Sequence, residues 1–172
     1  MVTVIIIGGT ASTGKSTIGT RVAERFSCQY VEGDMLHPQV NIDKMANNIP
    51  LEDEDRWGWL TQVAKQSTAA ALENEGKRAV VSCSALKKIY RDYVQKQCPD
   101  TKFLYLFLHA SREELIKRAQ LRQGHYMKST MIDSQLAILE LPTDDPNALC
   151  IDVEGREVDS IVEEGVQFVK KH

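Results

Sequence analysis

The chain is short of most features that mark a metal scaffold, a membrane protein or a nucleic-acid binder. Its four cysteines, Cys28, Cys83, Cys98 and Cys150, stand far apart, with no CxxC spacing and no histidine cluster beside them. That excludes a zinc ribbon and a disulfide framework and leaves reduced, mostly buried thiols. No apolar run approaches the roughly 20 residues of a membrane span, and the apolar N-terminus lacks the basic flank and the length of a signal sequence. A cytoplasmic protein with no membrane partner is therefore expected. Positive charge is also scarce: 21 Lys and Arg face 24 Asp and Glu, for a formal net charge of −3. This balance argues against nucleic acid as a partner, so any anion site must be a local gathering of basic side chains. The length, 172 residues with 42% hydrophobic, suits a single domain spanning 1–172.

What the sequence does contain is alternation. Short apolar, β-rich runs at 2–7, 29–31, 79–83, 103–108 and 148–153 are each bounded by polar, Gly or Pro residues and predict buried strands. Helical patterns lie between them, at 15–26, 56–75, 85–97, 112–121, 130–139 and 159–170. Ser111 with Glu114 three residues on has the spacing of a capping box, which starts a helix. Strand and helix in strict alternation predict an α/β fold, a five-stranded parallel sheet with helices on both faces. Two stretches fall outside the simple crossover: a polar interlude at 34–55, and a basic, Gly-containing connection at 121–130. Insertions of this kind on a rigid sheet are where binding loops sit.

The stretch after the first predicted strand reads Gly9-Thr10-Ala11-Ser12-Thr13-Gly14-Lys15-Ser16-Thr17. It matches G-x-x-x-x-G-K-[ST] between a strand and a helix, the context a phosphate loop requires. Small side chains let the backbone curl so that N–H groups point inward, and the new helix adds its positive N-terminal end. Residues Gly9 to Thr17 are thus expected to bind ATP. Lys15 is placed on the β- and γ-phosphates, and Ser16 is placed as a ligand of Mg2+.

A guanine-reading switch would need N-K-x-D, which does not occur, and a motor would end a long strand in an acid where this chain has Ser82-Cys83-Ser84. A small-molecule kinase fits better, with a carboxylate from the polar interlude orienting the acceptor hydroxyl. Five blocks then carry a specific resemblance: the phosphate loop, EGDMLHPQVNIDKM (32–45), PLEDEDRWGWL (50–60), CSALKKIYRD (83–92) and RAQLRQGHYM (118–127). In this order and spacing the chain resembles the gluconokinases. That resemblance implies ATP- and Mg2+-dependent phosphorylation of D-gluconate at its 6-hydroxyl, feeding the pentose phosphate pathway. It also implies a nucleoside-monophosphate-kinase-like, three-layer α/β/α P-loop fold, and a homodimer. The sequence departs from the family pattern at Glu32, where Asp is usual, at Ser12, where Gly is common, and at Tyr126, where Phe is common.

Chemistry assigns roles within these blocks. Asp34, after the second strand, is the expected base, with a turn cap as its alternative. His37 is expected to bind the polyol. Arg56 offers a planar fork for the substrate carboxylate, against the alternative of a surface salt-bridge cluster with Asp53 and Asp55. Lys87, Lys88 and Arg91 open a helix where lysines oppose the dipole unless an anion compensates, so substrate contact is expected for one of the three, with Lys87 and Arg91 taken as candidates and the choice left open. Arg118 and Arg122, four apart on one helical face, are expected to bring positive charge over the triphosphate from a lid at 112–140. His125 follows the helix break at Gly124 and is placed with the substrate. The substrate-binding excursion is expected at 34–60.

Overall fold

The computed structural model describes residues 1–121 and 129–172. Five parallel strands form one sheet in the order β2-β3-β1-β4-β5. They are β1 (Thr3–Gly8), β2 (Gln29–Glu32), β3 (Arg78–Ser82), β4 (Lys102–His109) and β5 (Ala148–Asp152). The helices are α1 (Lys15–Arg25), α2 (Gln39–Ala46), α3 (Trp57–Glu73), α4 (Lys88–Gln97), α5 (Arg112–Leu121), α6 (Ser129–Ile138) and α7 (Val158–Lys170).

The unbroken apolar character of β1 follows from its position. Paired with β3 on one side and β4 on the other, it is covered on both faces, so its alternating side chains enter two separate cores. Val4 and Ile6 join Ala79, Val81, Phe103 and Tyr105 against Trp59, Leu60, Val63, Tyr90 and Val94 of α3 and α4. Ile5 and Ile7 join Val80, Leu104 and Leu106 against Ile18 and Val22 of α1 and Ile161 and Val166 of α7. Each aliphatic side chain fully buried there contributes about 1.5–3 kcal/mol. A third, small core of Leu115, Ala119 and Ile132 joins α5 to α6. No described helix is long and apolar enough to cross a membrane.

The chain leaves β1 through the phosphate loop and α1, skips one position to β2, and returns to fill the gap with β3. The C-terminal ends of β1, β2 and β3 therefore open side by side, at the edge where ligands of such sheets bind. One element was not foreseen: the polar interlude at 34–55 holds a helix, α2.

Candidate functional site

The loop from Gly9 to Gly14 turns sharply out of β1. Gly9 has φ +132, and a Cβ there would stand 2.3 Å from the Leu108 carbonyl oxygen, so only glycine fits. Ser12 takes φ 72, the left-handed conformation that glycine adopts freely. Lys15 Nζ donates to the carbonyls of Gly9 (3.0 Å) and Thr10 (2.8 Å), which folds the lysine back along the loop it follows.

Beside this loop lies a cleft of about 970 Å3. It is lined by Ala11, Ser12 and Gly14 to Thr17 of the loop and the start of α1, by Glu32, Asp34, His37 and Arg56, and by Arg118 of α5 and Gln135 of α6. Of the residues singled out in the sequence, Lys15, Ser16, Asp34, His37, Arg56 and Arg118 line it. Arg122 and His125 lie outside the described residues.

Asp34 sits in a short 3-10 turn, Gly33–Leu36, directly after β2. Gly33 makes the turn possible: a Cβ there would lie 1.8 Å from the Ser82 carbonyl oxygen. Its N–H donates to Ser82 Oγ (3.2 Å) and its carbonyl accepts from Trp59 Nε1 (2.8 Å). The turn is thus pinned while Asp34 stays exposed. No described group hydrogen-bonds its carboxylate and it caps nothing, which sets aside the turn-cap alternative.

His37 is buried, stacked on Trp59 with centroids 4.0 Å apart. Asn41 Nδ2 donates to its Nδ1 at 3.1 Å, which leaves the ring proton on Nε2. Burial pushes the ring pKa down to about 4, Arg56 adds to the lowering, and Asp34 opposes it. The imidazole is neutral at physiological pH.

Arg56 precedes α3 and is 8% exposed. The salt-bridge alternative fails, because Asp53 pairs with Lys87 (3.2 Å) and Asp55 with Lys44 (2.9 Å). Arg56 Nη2 donates to the Leu51 carbonyl (3.2 Å), the guanidinium carbon lies 5.1 Å from the Tyr90 ring centroid, and buried Nε has no partner among the described residues. A guanidinium taken out of water without a carboxylate is costly, and this one faces the cleft.

Two of the expected substrate contacts are engaged within the protein. Lys87 precedes α4 and is held by Asp53, a carboxylate that Tyr90 and Lys87 together keep below its usual pKa. Arg91 is buried and donates to the carbonyls of Ala85 (2.6 Å) and Glu140 (2.9 Å). Neither lines the cleft. The anions that offset the helix dipole are the protein's own: Asp53 on Lys87, Asp92 on Lys88 (2.7 Å), and Glu140, which accepts the Lys88 N–H (2.8 Å). Arg118 is likewise no free basic group. It pairs with Glu114 (3.2 Å) and donates to the carbonyls of Val153 (3.2 Å) and Thr13 (3.4 Å), which ties α5 to the phosphate loop. Ser111 Oγ accepts the Glu114 N–H at 3.2 Å and caps α5, but the Ser111 N–H donates to Glu154 (3.1 Å) and not to Glu114, so only half of the expected capping box forms.

Sequence reasoning gave no role to Glu32 or Gln135. Glu32 closes β2 and accepts from Ser16 Oγ (2.7 Å), Ser82 Oγ (2.6 Å) and Tyr30 Oη (2.9 Å). Burial pushes its carboxyl up, but these three hydrogen bonds and nearby Lys15 outweigh burial and hold it below its ordinary pKa. The one signal in the sequence was position, an acid ending a strand two residues before Asp34. Gln135, on α6, accepts the N–H of Ala11 at 2.7 Å.

A phosphate loop at the end of the central strand, with an acid and a buried arginine across a shared cleft, defines a nucleotide-binding phosphotransferase of the P-loop class. A family model described as "AAA domain" matches residues 5–139. Probable gluconokinases of Saccharomyces cerevisiae and Schizosaccharomyces pombe are 46% and 44% identical over 144 and 155 residues. The matches cover 81% and 88% of this chain, and 75% and 80% of the relatives. The crystal structure of a gluconokinase from Sinorhizobium meliloti 1021 superposes with a TM-score of 0.85 at 36% identity, over 97% of this chain and 91% of that one. The chain belongs to the gluconokinase family.

Proposed function

We propose that the protein transfers the γ-phosphoryl group of ATP to the 6-hydroxyl of D-gluconate, releasing ADP and 6-phospho-D-gluconate. One observation carries the choice of a sugar acid over a neutral polyol. Arg56 is a buried guanidinium in the cleft wall whose own acidic neighbours are committed elsewhere, so the carboxylate it lacks is the substrate's. With that end held by Arg56, the far hydroxyl of the chain reaches Asp34 and the phosphate loop.

Each group then has a task. Asp34 accepts the proton of the 6-hydroxyl as the O6–phosphorus bond forms and the bond to the ADP oxygen breaks. Neutral His37 offers its Nε2 hydrogen to a substrate hydroxyl. Lys15 moves its ammonium onto the phosphoryl oxygens, and the loop amides with the start of α1 hold the rest of the nucleotide. Ser16 Oγ and the Glu32 carboxylate, 2.7 Å apart at the cleft wall, are hard oxygen donors of the kind Mg2+ prefers, and they would hold it through these oxygens and water. The chemistry such an ion would supply there is neutralisation of phosphate charge.

The test is ADP release by the purified protein over a panel of gluconate, sorbitol, shikimate and nucleoside monophosphates. Turnover is expected with gluconate and not with the others. Asp34→Asn should lower kcat about 10^3-fold, within the range for a lost general base, and leave ATP affinity unchanged. No gluconate-dependent ADP at millimolar substrate would defeat the proposal.

A further inference from the structure

The arm formed by α5 and α6 reaches the phosphate loop twice, through Arg118 on the Thr13 carbonyl and through Gln135 on the Ala11 N–H. The second contact falls on an unusual peptide unit. The carbonyl of the Thr10–Ala11 peptide accepts from Lys15 Nζ at 2.8 Å, and the N–H of the same unit donates to Gln135 Oε1 at 2.7 Å. A peptide unit is planar, with its C=O and N–H directed oppositely, so whatever fixes one end fixes the other. The flanking residues Gly9 and Ser12 both have positive φ, which gives the short segment between them few neighbouring ladder bonds; besides Lys15, the Thr10 carbonyl accepts from Thr13 Oγ1 at 2.9 Å, a side chain of the same loop. Rotation of that one plane would withdraw the Thr10 oxygen from Lys15.

We propose that Gln135 is a positioning residue for catalysis: by holding the Ala11 N–H it orients the Thr10–Ala11 peptide, and through the Thr10 carbonyl it sets where the Lys15 ammonium rests. The inference depends on the phosphotransferase reading of the loop and adds a residue to it. Gln135 acts through Lys15, so its loss falls on the step in which phosphoryl charge develops and not on the sugar acid, which Arg56 holds.

Two variants of nearly the same length separate this from simple helix anchoring. Gln135→Met fills the same space without an acceptor, whereas Gln135→Glu keeps an oxygen for the Ala11 N–H. Gln135→Met is expected to lower kcat and weaken MgADP binding, each roughly 3- to 10-fold, the worth of one net hydrogen bond. The KM for gluconate should stay within twofold and the melting temperature should be nearly unchanged. Gln135→Glu should recover kcat to within about threefold of the parent at saturating ATP, with a raised KM for ATP from its added charge. Wild-type kcat and MgADP affinity in Gln135→Met would overturn the inference, as would a Gln135→Glu no better than Gln135→Met, or a loss confined to thermal stability. If the parent protein binds MgADP but releases no ADP with gluconate, the substrate proposal fails instead, and the MgADP comparison still judges Gln135.

Discussion

Replacing Arg56 with methionine should separate function from stability. The guanidinium is 8% exposed, has no carboxylate partner among the described residues, and makes one hydrogen bond, to the Leu51 carbonyl. If it receives the gluconate carboxylate, removing it breaks a charge-assisted, largely desolvated pair. Losing one partner of such a pair costs about 3–5 kcal/mol, which at about 1.4 kcal/mol per tenfold is a rise of 10^2- to 10^3-fold or more in the KM for gluconate. Folding should respond quite differently. The variant forfeits about 1 kcal/mol for the bond to Leu51 and a comparable cation–π contact with Tyr90. It also relieves the protein of a buried charge that no described acid pairs with directly, and apolar replacements of buried ions are often neutral or stabilising. Net stability should stay within about 1 kcal/mol, a shift of roughly 2–4 °C in melting temperature for a chain of this length. Steady-state kinetics and a thermal melt on the same preparation decide the matter. An unchanged KM, or a melting temperature lowered by about 10 °C or more, would refute the reasoning, because Arg56 would then be a structural residue and not a ligand for the acid.

Further outcomes follow from the same geometry. His37 titrates near 4 in the folded protein against 6.5 in the unfolded chain, so the unfolded state binds the extra proton between these values; stability is full above about pH 6.5 and falls as pH drops toward 4. The whole shift corresponds to about 3 kcal/mol, which screening from the cleft side reduces to about 1–2 kcal/mol; denaturant titrations at pH 7 and pH 4.5 should show that loss in the parent and not in His37→Gln. Gly33→Ala drives a Cβ into the Ser82 carbonyl and should cost about 2–3 kcal/mol by urea unfolding, with a fall in kcat because the turn carrying Asp34 must move.

The sheet was legible because its strands are short, apolar on both faces and separated by amphipathic helices, and the phosphate loop because small residues at fixed spacing have one chemical use. Helix α2 escaped notice for a physical reason: its apolar Val40 and Ile42 are exposed at 57% and 41%, while its buried residue is Asn41. Its pattern is inverted, and periodicity finds only helices that bury their apolar side. The partners that Lys87 and Arg91 take within the protein were not legible because they lie far along the chain, Asp53 at 34 residues and the Glu140 carbonyl at 49. Local spacing shows that a charge wants an anion, not which anion answers. Glu32 depends on hydroxyls from α1, β2 and β3 meeting at one strand end, a convergence that exists only once the strand order is known.

A crystal structure with MgADP and gluconate tests the central claim most directly, because the account fixes which way round the sugar acid lies. Its carboxylate should sit within hydrogen-bonding distance of the Arg56 guanidinium, with the 6-hydroxyl against Asp34 and turned to the phosphate loop. Gluconate bound the other way, with its carboxylate on the loop side and Arg56 still without an acid, would contradict the account.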